Sequence, residues 1–187
     1  MSSRMPGFHG EYLWELGIPE KQLLALAAAV PNETYSWRPA EDARSFAAVL
    51  VHVATANFML LRMAGVPSPA TEHFYGALQG DQFAQIVFTV RRNLALENAL
   101  AAKEEVIDLL ERSFDAVRRS FSACTPEDLE QTGSFFGETT TVRRVYLRIL
   151  AHAHEHMGQA IAYARASGTR VPWPDALKQL DLAPAKE

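Results

Sequence analysis

The sequence predicts an all-α protein, an antiparallel bundle of four long helices. Three observations predict it. Apolar residues recur in steps of three and four over four long stretches. Proline and glycine divide the chain into those long blocks. No segment alternates apolar and polar residues convincingly enough to read as a strand. There is no internal repeat and no low-complexity tract. A chain of 187 residues with 48% hydrophobic content suits one domain, 1–187, with a core that needs no staple.

The first helix is read from about Phe8 to Val30, on the stripe Tyr12, Leu16, Leu23, Leu26, Val30. Its one gap falls at Pro19, which either kinks the helix or opens a second one. Pro31 and Asn32 stop it. A loop follows from Asn32 to Ala43, in which Trp37 is read as the anchor to the core. The second helix runs from near Ser45 to Ala64, on Phe46, Val49, His52, Ala56, Met59 and Met63. Gly65 serves as its C-cap, and Pro67 and Pro69 end it. Val66 to Asn93 is the least readable span. Gly76, Gly80 and the apolar run Phe83 to Val90 suggest a loop with a short helix. The third helix is read from about Leu94 to Ser122, on Leu100, Ile107, Leu110, Phe114, Val117 and Phe121. Pro126, Gly133 and Gly137 then mark a loop. The fourth runs from about Thr139 to Ser167, on Val142, Val145, Ile149, His152, His156, Gln159 and Tyr163, and ends at Gly168. Pro172-Trp173-Pro174 breaks the chain before a short tail.

Composition narrows the function. With 18 basic and 22 acidic side chains the formal charge is −4. That argues against a nucleic-acid binder, which shows a basic face, and against a membrane-surface protein. The single cysteine, Cys124, excludes an internal disulfide and cysteine-based zinc fingers, and reads as a buried side chain rather than a nucleophile. No secretory pattern opens the sequence, and the longest apolar run, Phe46 to Leu61, is short for a membrane span and contains His52 and Asn57. A cytosolic location is the expectation. Gly-x-Ser-x-Gly, P-loop, dinucleotide and His-Glu-x-x-His patterns are all missing.

Three helix-seam positions that normally hold Leu, Ile, Val or Ala hold histidine instead: His52 on the second helix, His152 and His156 on the fourth. His152 and His156 are four apart and project from one face, a spacing at which two imidazoles share one ion. The same spacing also occurs on solvated faces. The third histidine on another seam supplies the ligand number for a reactive divalent site with an open position. The paired Glu and Glu-x-x-His of di-iron bundles are missing, which favours one ion over two. His154 points away from its neighbours and reads as a surface residue, while His9 and His73 lie in segments that cannot be oriented. Glu155, at the edge of the stripe, either hydrogen-bonds a ligand imidazole or faces solvent. Gln159 either bonds a ligand or an ion-bound species, or bonds backbone in a neighbouring helix. Glu155 and Gln159 are the candidate catalytic residues.

At these residues the sequence resembles the DinB/YfiT-like family of metalloenzymes. The likeness is carried first by Tyr35-Ser36-Trp37-Arg38-Pro39, Arg44-Ser45-Phe46 and Leu50-Val51-His52-Val53-Ala54. It is carried again by Phe135-Phe136-Gly137, Ile149-Leu150-Ala151-His152, His156-Met157-Gly158-Gln159, Tyr163-Ala164-Arg165 and Val171-Pro172-Trp173. It covers nearly the whole chain except Pro67 to Asn93, which reads as an insertion near the site mouth. The resemblance implies a four-helix bundle holding a divalent ion, nickel or zinc, through His52, His152 and His156, one per chain. It also implies a homodimer, to which the apolar stretch Leu23 to Val30 adds weak support because its alanines run around the helix. Activities implied by the family are thiol-dependent S-transfer to small electrophiles using a low-molecular-weight thiol, isomerisation of maleylpyruvate, or metal-dependent hydrolysis. A stress-induced metal binder without catalysis is the alternative of another class.

Overall fold

The computed structural model describes residues 7–65, 68–77, 80–136 and 138–173. Pro67, Gly137 and Pro174, to which the sequence reading assigns stops and turns, lie outside the described residues. The elements are α1 (Gly7–Ala29), α2 (Phe46–Met63), α3 (Pro69–Tyr75), α4 (Gln82–Ala99), α5 (Lys103–Ala123), α6 (Pro126–Glu130), β1 (Thr132–Phe135), β2 (Glu138–Thr141) and α7 (Val142–Ala166). The fold is all-α but for one small hairpin. Helices α1, α2, α5 and α7 close a ring, with α2 resting on α5 and α7 and α1 resting on the same two. Helix α4 packs on a further side of α2. That leaves α2 buried on nearly every face, which explains its continuous apolar run without a membrane.

Helix α1 runs through Pro19 without a break. Pro19 is buried, and it completes the stripe in steps of three and four between Leu16 and Leu23. The carbonyls left over at its C-terminal end are met from α5: Lys103 Nζ donates to Ala28 O at 2.7 Å and to Val30 O at 2.9 Å. Arg118 pairs with Glu20, a second tie between the same helices. Leu23, Leu26, Ala27 and Val30 all face the core, so this stretch turns only Ala25, Ala28 and Ala29 to the outside.

The loop after α1 is held by a different residue from the one expected. Tyr35 is 1% exposed and donates its hydroxyl to Ala27 O at 2.7 Å, whereas Trp37 is half-buried. The loop then caps α2. Carbonyls of Trp37 and Tyr35 accept from Phe46 N and Ala47 N, both at 2.9 Å, and Ser45 Oγ accepts from Ala48 N. At the other end Gly65 takes φ +72, the left-handed conformation a side chain would resist.

Two expectations fail in the middle of the chain. The span 66–93 is not a loop with one short helix. It contains α3 and most of the 18-residue α4, capped by Asp81, whose side chain accepts from Ala84 N at 2.8 Å. Nor is 94–122 one helix, because the backbone turns extended at Leu100 and Ala102 and divides α4 from α5. Leu100, Ala101 and Ala102 are good helix formers with no Gly or Pro among them, so local propensity gives no sign of the break. The third correction is the hairpin. β1 and β2 pair antiparallel with Thr132 opposite Thr141 and Phe135 opposite Glu138. Four-residue strands are too short to show alternation. The threonine run is therefore strand first, and only Thr141 acts as cap of α7, accepting from Arg144 N at 3.2 Å.

Candidate metal centre

Helices α2 and α7 pack directly on each other, which brings His52 against His152 and His156. The three rings form a closed triangle, with centroids 5.0 Å apart for His52–His152, 4.6 Å for His52–His156 and 4.5 Å for His152–His156. One nitrogen from each lies within 4.8 Å of the others. Four ligands at about 2.05 Å around a tetrahedral ion sit about 3.3 Å from one another. His52 Nε2 and His152 Nε2 already stand at 3.2 Å.

Two of the rings are oriented from behind. Glu97, on α4, points a carboxylate at His52: Oε1 lies 2.7 Å from His52 Nδ1, and Oε2 accepts from Arg44 Nε at 2.7 Å. Burial pushes the Glu97 carboxyl up, but the bonds from His52 and Arg44 outweigh it and hold the group below the usual carboxylate range. An ionised carboxylate can only accept, so His52 carries its proton on Nδ1 and turns the Nε2 lone pair to the other two histidines. His156 Nδ1 stands 2.8 Å from Gln159 Oε1, while Gln159 Nε2 donates to the Tyr163 hydroxyl at 3.0 Å. Tyr163 meets the edge of Trp37, with ring centroids 5.7 Å apart. With its proton on Nδ1 towards Gln159, His156 likewise leaves Nε2 free.

His152 is the buried member, 8% exposed, and its Nδ1 has no partner. A proton on Nε2 leaves Nδ1 an unmatched acceptor. A proton on Nδ1 leaves that N–H unmatched and sets two lone pairs face to face across 3.2 Å. A cation accepting the Nε2 lone pairs of His52 and His152 removes that repulsion, although His152 Nδ1 stays without a partner. The donor set therefore fits a divalent ion, and the three histidines are close enough to hold one.

Burial, then the neighbouring His156 and His52, then Arg148 and Arg44, push the His152 imidazolium down to about 3. His156 is also lowered, first by burial. An unfolded histidine titrates near 6.5. Between about 6.5 and 3 the unfolded chain binds a proton at His152 that the folded chain does not. The metal-free protein is thus expected to lose stability as pH falls through this window and to recover it fully above 6.5. Urea unfolding of chelator-treated protein at several pH values checks this. His152→Gln should flatten the dependence, and an equally steep variant would contradict the assignment.

The other candidates fall outside the triangle. Glu155 is exposed and pairs with Arg148 at 3.3 Å. His154 is half-buried on the far side of α7, His73 is exposed on α3, and His9 stacks on Phe121 with centroids 4.5 Å apart. Cys124 is buried, with Sγ 3.3 Å from Ser120 O. Burial pushes its thiol up, away from nucleophilic use. Glu97 and Arg44 escaped the sequence reading as site residues. Glu97 follows Thr89 and Asn93 in steps of four, all three buried on one face of α4. That polar stripe was the available signal, and hydrophobic periodicity cannot detect it.

A model of the DinB superfamily matches residues 19–160. Two solved structures share the fold. One is the crystal structure of a DinB-like protein from Bacillus cereus ATCC 10987, with TM-score 0.68, 17% identity, and coverage of 90% of this chain and 97% of that one. The other is a DinB-like protein (YjoA) from Bacillus subtilis, with TM-score 0.53, 16% identity, and coverage of 87% and 96%. No curated protein matches the chain.

Proposed function

Because this chain belongs to the DinB superfamily and gathers three imidazoles at one point, we propose that it is a metal-dependent enzyme, a thiol-dependent S-transferase acting on small electrophiles. The ion it takes is one nickel or zinc per chain, held by His52, His152 and His156. Three imidazoles suit both metals. One observation carries the reading: Glu97 and Gln159 stand behind two of the histidines and turn both Nε2 lone pairs inward. A divalent ion held by three neutral ligands supplies a Lewis acid that lowers the pKa of a thiol or water reaching it.

The residues of the chain do the rest. Glu97 fixes the tautomer of His52 and is itself fixed by Arg44. Gln159, braced by Tyr163, does the same for His156. His152, held neutral by burial, keeps a lone pair available across the neutral pH range. Trp37 closes the outer side of Tyr163 and so ties the α1–α2 loop to the site. All three ligands are neutral, so a bound thiolate or carboxylate substrate meets no anionic ligand in competition. Glu97 spends both its oxygens on His52 and Arg44.

The test is a panel of low-molecular-weight thiols and small electrophiles run with metal-loaded and chelated protein side by side. Conjugation above the chelated control is the expected result. Stoichiometric metal with no turnover over the whole panel would remove the transferase reading and leave a metal-binding protein, or a hydrolase acting on other substrates.

A further inference from the structure

A cavity of about 890 Å³ opens at the other end of α2 from the histidine triangle. It is lined from α2 by Met59, Arg62 and Met63, from α3 by Thr71, and from α4 by Gln85 and Ile86. The start of α7 and the hairpin form its far wall. Arg62 is ten residues from His52 along α2, about 15 Å of helix rise. None of the three histidines lines this space. Its volume falls within the range of small-molecule sites.

Two polar residues of its wall are poorly matched. Thr71 is 3% exposed and its Oγ1 has no hydrogen-bond partner. A buried hydroxyl without a partner is a desolvation cost the fold does not recover by itself. Arg62 is the one cation among the described lining residues, and it donates one long hydrogen bond, from Nη2 to Gln85 Oε1 at 3.3 Å. A guanidinium carries five donors in a fork shaped for a carboxylate. The acidic groups nearby do not answer it. Asp128 accepts from Thr125 N and from Gln131 Nε2, and Glu72 is exposed. The apolar lining is Met-rich, which adapts to varied hydrocarbon shapes.

We propose that this cavity binds a small apolar monocarboxylate, its carboxylate on Arg62, a further hydrogen bond from Thr71, and its hydrocarbon part against Met59, Met63 and Ile86. The site is separate from the histidine triangle and does not depend on the activity proposed for it.

Octanoate is the probe, with octan-1-ol as the uncharged control, titrated by calorimetry into the full-length protein. Saturable octanoate binding at about 1 mM or tighter is expected, with octan-1-ol at least about tenfold weaker. Arg62→Gln should weaken octanoate about tenfold and leave octan-1-ol unchanged. Ala123→Trp, which places an indole in the cavity wall, should abolish binding of both. Thr71→Val keeps the shape without the hydroxyl, serves where the tryptophan variant fails to fold, and should weaken octanoate several-fold. His152→Ala should leave octanoate binding intact. Absence of saturation, affinity indifferent to Arg62→Gln and Thr71→Val, or binding lost only in His152→Ala would each overturn the proposal.

Discussion

His156→Ala is expected to leave the chain folded and unable to retain a divalent ion. His156 is half-buried, and its ring nitrogen bonds only Gln159, so its removal opens no large apolar cavity and strands no buried charge. What it removes is one of three ligands. Changing a residue that merely supports a ligand costs about 10- to 100-fold in metal affinity, and losing the ligand itself should cost more. Competition titration against a chelator measures the loss, and circular dichroism checks the fold. Activity in the thiol panel should disappear with the metal, because the Lewis acid goes with its ligand. Full affinity in the variant would remove His156 from the site.

The second large effect is expected at Glu97. Glu97→Gln keeps the shape but replaces an ionised acceptor by a neutral amide. His52 then no longer donates Nδ1–H to a carboxylate, and Arg44 loses its charged partner. Metal affinity should fall about 10- to 100-fold. Arg44 is over a third exposed, so water takes over its solvation and the fold should persist. Glu97→Asp keeps the charge but shortens the reach, and should fall between wild type and Glu97→Gln. The effect should be confined to metal affinity and to rates measured below metal saturation. A variant that melts early yet binds metal normally would make Glu97 a packing residue only.

These two predictions differ in how visible they were. His52, His152 and His156 stand out because histidine occupies seam positions whose neighbours are Val49, Ala56, Val145 and Ile149, and a polar residue on an apolar stripe can be seen in one dimension. Helices α1, α2 and α7 and the body of α5 were legible for the same reason, and Pro19 was consistent with its stripe once its own burial was counted. Glu97 was hidden because α4 inverts the usual pattern. Its buried positions Thr89, Asn93 and Glu97 are polar, while Phe83 and Phe88 are 75% and 47% exposed. Asn93 is buried because it serves α2 and α3, with Oδ1 accepting from Tyr75 at 3.0 Å and Nδ2 reaching Thr55 O at 3.4 Å. A helix whose inner face is polar gives no apolar periodicity to follow. The break at 100–102 was hidden by its helix-forming residues, and the hairpin by its length. Trp37 attracted attention by size, but Tyr35, with a hydroxyl able to reach the end of α1, proved the better anchor.

The central claim is that three histidines from two helices make one metal centre. It is tested most directly by elemental analysis of protein purified without an affinity tag, loaded with nickel or zinc and freed of excess. The chain carrying His52→Ala, His152→Ala and His156→Ala together is measured beside it. One ion per chain in the wild type and none in the triple variant is the result predicted. A wild type that takes up no metal, or a folded triple variant that retains as much as the wild type, would contradict it.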